Sequence, residues 1–369
     1  MKIAIITLPL HTNYGGILQA YALQTALQRM GHDVYHLQPK VEFHPLHPAW
    51  QMPFVWLKRV IRKCFFGEWK LPVFENPYKW MRKYTDAFIQ ANISIHFLQD
   101  EAWNESLAKE YDAFVVGSDQ VWRSCYANPL NRYFLSFLGD SSTALRLAYA
   151  ASFGTEECDF TPEQIQECNL LLQKFASVSV REQSGVNICE NIFGISAKHV
   201  LDPTLLLCQE DYLKLIGDEL PSEGNLMVYV LDETVASNQI VAEFAKSKGL
   251  IPFRTNSKIE SSQARISERL QPPVEKWLRG FVDAEFVITD SFHACVFSII
   301  FNKPFMCIGN TNRGMARFQS LLGQFGLQTC LVGLEPSFVL PKIDWEKINS
   351  RLEQLREQSF STLRKSLNN

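Results

Sequence analysis

The sequence has no Cys-x-x-Cys pair, no apolar run long enough to span a bilayer, no excess of basic charge and no Gly-x-Gly-x-x-Gly turn. Each absence removes a class of protein. Nine cysteines without pairing or regular spacing do not make a disulfide framework, which points to a reducing, cytoplasmic setting. A membrane helix needs about 20 apolar residues; the longest candidate is broken by Asp290, His293 and Lys303. Lys2 and the run Ile3 to Leu10 imitate a signal peptide, but a polar turn stands where a small-residue cleavage site belongs. A net charge of −3 offers nucleic acid no basic field. His32, His36, His44 and His47 lack a cysteine or carboxylate at metal-site spacing, so no metal is expected. Short-period repeats and low-complexity tracts are missing too.

What is present is an alternation of strand and helix. Ile3 to Thr7 is a β-branched run, followed by a turn with Asn13, Gly15 and Gly16. Apolar residues then recur at helical spacing from Ile17 to Leu27, Gly31 stops the helix, and Val34 to Leu37 resumes a strand. This strand–helix–strand order favours a parallel sheet. The rhythm is lost over residues 40–110, which are rich in aromatics and proline, and returns with Ala113–Val116, Ala148–Ser152, Ser177–Val180 and His199–Leu201. A second series runs from Met227 through Ile308. At 369 residues two domains are expected. The reading is an α/β protein of two doubly wound domains facing a cleft: residues 1–220 on the acceptor side with a divergent 40–110 insertion, 221–343 on the donor side, and a helix over 344–369 packing back on the first domain.

Five segments could carry chemistry. In Thr289-Asp290-Ser291-Phe292-His293 a strand ends, Ser291 takes a helix-cap position and His293 falls in the first turn, where free N–H groups attract anions and an imidazole can move protons. A buried structural histidine is the plain alternative. Arg181 follows the strand Ser177–Val180, placed to grip a carboxylate or phosphate with its planar fork, or else to pair with Glu182 or Asp202. In Gly117-Ser118-Asp119-Gln120-Val121-Trp122, Asp119 suits a general base or a helix cap, and Trp122 offers a stacking face. Asn13-Tyr14-Gly15-Gly16 allows close backbone approach to a ligand, or is only a tight connection. Arg313 and Arg317, one helical turn apart, either steer an anion or are solvated. The stretch 54–70 mixes Lys58, Arg59, Arg62, Lys63 and Lys70 with Phe54, Trp56, Phe65, Phe66 and Trp69. It reads as a lid or packed helix, or as loose contact with an anionic membrane surface.

Together these segments resemble the polysaccharide pyruvyl transferase family. The matching pieces, in family order, are Asn13-Tyr14-Gly15-Gly16 running into Leu18-Gln19-Ala20-Tyr21-Ala22-Leu23, then Gly117 to Trp122, Ser179-Val180-Arg181-Glu182, Leu201-Asp202-Pro203-Thr204 and Asp290 to Ala294. The resemblance implies two Rossmann-like domains arranged like B-type glycosyltransferases. It also implies phosphoenolpyruvate as co-substrate with no further cofactor, and a pyruvate ketal on a sugar of a cell-surface polysaccharide or its precursor. By the same resemblance His293 matches the catalytic histidine and Arg181 a donor-binding arginine. Around them the reading sets Asp119 as base for the acceptor, Ser291, Arg313 and Arg317 on the donor, and Asn13, Tyr14, Gly15, Gly16 and Trp122 toward a carbohydrate acceptor, free or lipid-linked. Two alternatives remain: a nucleotide-sugar glycosyltransferase, disfavoured because Asp290 and Glu335 are the only carboxylates between Phe286 and Pro336, and a non-catalytic carbohydrate- or anion-binding protein.

Overall fold

The computed structural model describes residues 1–40, 53, 54, 56–58, 61, 77–259, 261, 264–309, 314–333 and 342–368. Two parallel sheets organise them. The first holds seven strands: β1 (Lys2–Ile6), β2 (Asp33–Pro39), β3 (Ile95–Leu98), β4 (Ala113–Val116), β5 (Leu145–Ala151), β6 (Ser177–Val180) and β7 (Lys198–His199), in the order β3-β2-β1-β4-β5-β6-β7. The second holds five: β8 (Leu226–Tyr229), β9 (Pro252–Arg254), β10 (Phe286–Thr289), β11 (Phe305–Ile308) and β12 (Leu331–Val332), in the order β12-β11-β10-β8-β9. Every strand pair is parallel. The central strands β4 and β10, Ala-Phe-Val-Val and Phe-Val-Ile-Thr, are buried along their whole length, as strands covered by helices on both faces must be. The strand orders are the two common doubly wound ones, so both halves are Rossmann-like, as expected.

Most strands expected from the sequence are found, but β3 lies inside the 40–110 segment where no strand is read. It is a short edge strand with no fully buried residue. What holds it is local: His96 stacks on Tyr35 with ring centroids 4.2 Å apart. The stretch 54–70 falls largely outside the described residues; of those described, Phe54, Trp56, Leu57 and Ile61 are exposed. No helix among the described residues is long and apolar enough to cross a membrane.

The first helix, Tyr14–Arg29, ties the two sheets together. Asn13 caps it by accepting the Gly16 N–H at 3.2 Å. Its apolar face is split: Leu23, Ala26 and Leu27 pack on β1 and β4, whereas Tyr14, Ile17 and Leu18 enter a core shared with Trp277, Phe281 and Phe297 of the second half. Tyr14 is fully buried among Tyr229 and Trp277, and its hydroxyl donates to the carbonyls of Thr255 at 3.2 Å and Pro272 at 2.7 Å. A second seam lies opposite. The Gln183 N–H donates to Ser320 Oγ at 3.1 Å, Ser320 and Gln324 reach His199, and a Cβ on Gly314 would overlap the Gly154 carbonyl. The long helix Trp345–Leu367 crosses both halves: Ile348 and Leu352 belong to the shared core, Leu363 and Leu367 lie on β1 and β4, and Ser359 Oγ accepts the Leu201 N–H at 3.1 Å.

Removing the Tyr14 hydroxyl leaves two carbonyls without that donor. Tyr14→Phe is expected to cost about 1–2 kcal/mol, read as a lower urea midpoint at unchanged slope. An unchanged midpoint would show that the hydroxyl does not hold the halves together.

Candidate functional site

In each sheet the winding direction reverses once, between β1 and β4 in the first and between β8 and β10 in the second. Doubly wound folds bind ligands at the carboxyl ends of the strands beside that reversal. Here the two reversals face each other: the segments that follow β1, β4 and β10 supply Asn13 to Gly16, Asp119 and His293, and Arg181 joins them from the end of β6.

The turn after β4 is held from three sides. Gln19 Oε1 accepts the Ser118 N–H at 3.0 Å, the Thr7 hydroxyl donates to the Ser118 carbonyl at 2.9 Å, and the Ser118 hydroxyl donates to Ala150 O at 2.9 Å. Gly117 has φ 126°, and a Cβ there would strike the Tyr149 carbonyl, so glycine is required. Asp119 follows with φ 72°, aiming its carboxylate at Arg181. The β5 strand carries a register shift between Ala148 and Ala151 beside this turn, a common device for re-aiming side chains near a site.

Arg181 leaves the end of β6 almost completely buried. Its Nη1 donates to Asp202 Oδ2 at 2.7 Å and its Nη2 to Asp119 Oδ1 at 3.1 Å, and the guanidinium lies 4.5 Å from the Phe292 ring centroid. Burial would raise the Asp119 carboxyl, but Arg181, His293 and Arg317 overcome it and lower it below the usual carboxylate range. A base held that low takes a proton poorly at neutral pH. Asp119 is therefore better suited to fixing Arg181 than to serving as the acceptor's base. Asp202 is held lower still: burial opposes its charge, but His293, Arg181 and the Thr204 hydroxyl favour it. Glu182 turns the other way. Its Oε1 accepts from Ser152 Oγ at 3.1 Å, Phe153 N at 2.8 Å and Gly154 N at 3.0 Å.

His293 comes from the second half, in the first turn of the helix Phe292–Ile300. Its Nε2 is 3.6 Å from Asp202 Oδ2, and the ring rests on Gly15, where a Cβ would overlap it at Nδ1. Ser291 takes the N-cap position but its hydroxyl makes no capping bond; its own N–H donates to Thr289 Oγ1 at 2.9 Å. The turn is fastened instead by Asp290, whose carboxylate accepts the N–H groups of Leu231 at 2.7 Å and Asp232 at 3.0 Å. Asp290 thus clasps the end of β8 to the end of β10.

Several sequence expectations change. Trp122 is wholly buried, its indole N–H donating to Tyr133 O at 3.0 Å and its ring stacked on Phe134, so it shows no face to an acceptor. Tyr14 is likewise spent between the halves, for the reasons given above. Gly15 seats His293, and Asn13 and Gly16 form the helix cap. Arg317 is buried rather than solvated, 5.5 Å from the Phe292 ring, and its pKa falls to about 10 through burial and the nearby Arg181. Arg313 lies outside the described residues. Among the described residues no group of three His, Cys, Asp or Glu side chains could hold a metal, and His36 is buried in β2, facing the Ala20 carbonyl at 3.2 Å. His11, which the sequence did not single out, sits just beyond β1. Burial and then Arg82 lower it to about 4, with Asp119 pulling the other way. A cavity of about 440 Å³ beside Gln324, Lys347 and Arg351 is lined by none of the residues singled out in the sequence.

Structural likeness is broad and distant. MurG of Acinetobacter baumannii is 12% identical, covers 99% of this chain and 94% of its own, and superposes with a TM-score of 0.40. UDP-GlcNAc 2-epimerase from Neisseria meningitidis is 11% identical over the same shares, with a TM-score of 0.46. The E. coli heptosyltransferase WaaC is 10% identical, over 98% of this chain and 100% of its own, with a TM-score of 0.38. No curated protein matches the chain. The sequence profile of one family, however, matches residues 13–312, a span that runs from the Asn13 cap through the Gly117 turn, Arg181 and Asp202 to His293. The chain belongs to the polysaccharide pyruvyl transferase family.

Proposed function

We propose that this protein moves the pyruvyl group of phosphoenolpyruvate onto two hydroxyls of one sugar, forming a ketal and releasing inorganic phosphate. The observation that carries the reading is the meeting of His293 from one half with Arg181 from the other at a single carboxylate, Asp202. One group can move a proton and the other can grip a carboxylate or phosphate, and the reaction needs both.

The chemistry follows from the donor. A proton from His293 goes to the methylene carbon, which becomes a methyl group and leaves C2 electron-poor. A sugar hydroxyl adds to C2 and loses its proton. The C2–phosphate bond then breaks, and a second hydroxyl adds at C2 and loses its proton. Of the two protons released by the sugar, one replaces the proton spent on the methylene and the other is carried off with phosphate. Arg181 holds the donor's carboxylate or phosphate by giving up part of its hold on its two carboxylate partners, Asp119 and Asp202. Three buried carboxylates, Asp119, Glu182 and Asp202, surround two buried guanidiniums, Arg181 and Arg317. The first turn of the Phe292 helix and Ser291 receive the phosphate. The acceptor enters from the Asn13 side, where the chain is exposed. A lipid-linked sugar is one class of acceptor that this reading admits.

The direct test is phosphate release from phosphoenolpyruvate in the presence of free, nucleotide-linked and lipid-linked sugars. Consumption of a nucleotide-sugar with no turnover of phosphoenolpyruvate would replace the proposal with a glycosyltransferase. His293→Ala is expected to lose about 10²–10⁴-fold in turnover, the usual worth of a general acid–base group. His293→Gln keeps a hydrogen bond but exchanges no proton; near-parental turnover with Gln would reduce the histidine to positioning. Arg181→Lys keeps the charge and loses the fork, so KM for the donor should rise about tenfold or more, as loss of a charged hydrogen bond of about 1.5–3 kcal/mol requires. Gly15→Ala pushes the imidazole off its seat and should cut kcat while the protein still melts like the parent. Parental kcat in Gly15→Ala would show that His293 tolerates displacement.

A further inference from the structure

Asp202 has been described as a partner of Arg181, but its geometry does more than pair one cation. It opens the Asp202-Pro203-Thr204 turn after β7 and is 2% exposed. Its Oδ1 accepts both the Thr204 N–H at 3.0 Å and the Thr204 hydroxyl at 2.6 Å, while its backbone carbonyl accepts the Leu205 N–H at 2.9 Å. Two donors on one oxygen and a fixed backbone prevent the carboxylate from swinging. Oδ2 is therefore aimed in one direction, and a guanidinium and an imidazole share it. Arg181 Nη1 donates to it at 2.7 Å, and His293 Nε2 stands 3.6 Å from that same oxygen. That nitrogen is buried and has no hydrogen-bond partner. A buried nitrogen left unpaired is costly, and closing the gap to a hydrogen bond needs a shift of less than about 1 Å.

We propose that Asp202 is a positioning residue that joins donor capture to proton delivery, a role resting on the pyruvyl-transfer reading above. An anion arriving at Arg181 competes with Oδ2 for Nη1. As the guanidinium turns to the donor, the Oδ2 lone pairs it releases are taken up by His293 Nε2. The imidazole is thereby oriented and its protonated form favoured when a donor is present to receive the proton. Asp202 touches neither donor nor sugar in this scheme and acts wholly through Arg181 and His293. The other charged groups around the imidazole are Asp119 at the end of β4, Arg181 at the end of β6 and Arg317 on the helix Ala316–Phe325. Asp202 is held so low that it stays ionised through neutral pH, so it is not the titrating group.

The test uses the full chain with phosphoenolpyruvate and an acceptor that the parent turns over. Asp202→Asn keeps the size and removes the charge. It should lower kcat about 10–100-fold, and the alkaline limb of the kcat–pH profile should move to lower pH, because an imidazolium without its carboxylate gives up its proton sooner. Thr204→Val removes only the hydroxyl that fixes Oδ1. It should lower kcat several-fold and leave the carboxylate in place, so it decides the matter should Asp202→Asn fail to fold. Parental kcat and an unmoved profile in a folded Asp202→Asn, or in Thr204→Val if Asn does not fold, would overturn the role. A rise in donor KM with kcat and profile unchanged would overturn it too, leaving Asp202 as a support for Arg181 alone. Failure of the parent itself to release phosphate would instead reject the pyruvyl-transfer reading, a separate outcome.

Discussion

The structure depends on the mutual pairing of charges that have been taken out of water. Moving one ion into a protein interior costs several kcal/mol even after relaxation, and removing one member of a buried pair strands the other. Arg181, Arg317, Asp119, Glu182 and Asp202 are all nearly or fully buried within one cluster. Each is tolerable only because the others are placed correctly. Fixed backbone features do the placing: the three-way tie on Ser118, the positive φ at Asp119, the Thr204 donors on Asp202 and the backbone N–H groups on Glu182. A cluster of this kind resists sliding of one half against the other, because sliding would separate charges in a medium that screens them poorly.

Apolar packing supports the same arrangement from below. The first helix lends its amino end to the second half and its middle to the first, so the two cores are partly one core. Gly15 sits at one point of close approach between the halves, and the absence of a side chain there lets His293, far away in the chain, reach the seam. The seam therefore sets both how the halves meet and where the imidazole stands.

Much of this was legible in the sequence, and the rest was not, for identifiable reasons. Buried parallel strands are rich in apolar and β-branched residues, so β1, β4 and β10 stand out as apolar runs and β6 as a Ser-Val alternation, and a polar residue at the end of such a strand must lie at the carboxyl edge. That logic placed Arg181, Asp119 and His293 at the edge without any structure. It could not tell Trp122 or Tyr14 apart from ligand-stacking residues. An aromatic beside a glycine turn looks the same in sequence whether it faces solvent or core, and the partner that decides the matter for Tyr14, Thr255, is 241 residues away. Helical spacing leaves Arg317 either steering an anion or solvated, because it says nothing of what a helix lies against. The edge strand β3 was missed since edge strands are short and only half-buried, which weakens their apolar signal. Asp202 was legible as a residue of a turn, but its double service to Arg181 and His293 exists only once both halves are folded.

The helix Trp345–Leu367 has a consequence for how the chain comes to be folded at all. Leu363 and Leu367 cover apolar residues of β1, β4 and β5, among them Ile3, Ile5, Val115 and Leu147. These strands are synthesised early, and the helix that shields them leaves the ribosome only after every other described strand has been made. During translation the first half therefore waits with an open hydrophobic face while the second half is being assembled. Such exposure is where nascent multidomain chains aggregate or recruit chaperones. That part of the first half's apolar face can be covered only after the helix has been made.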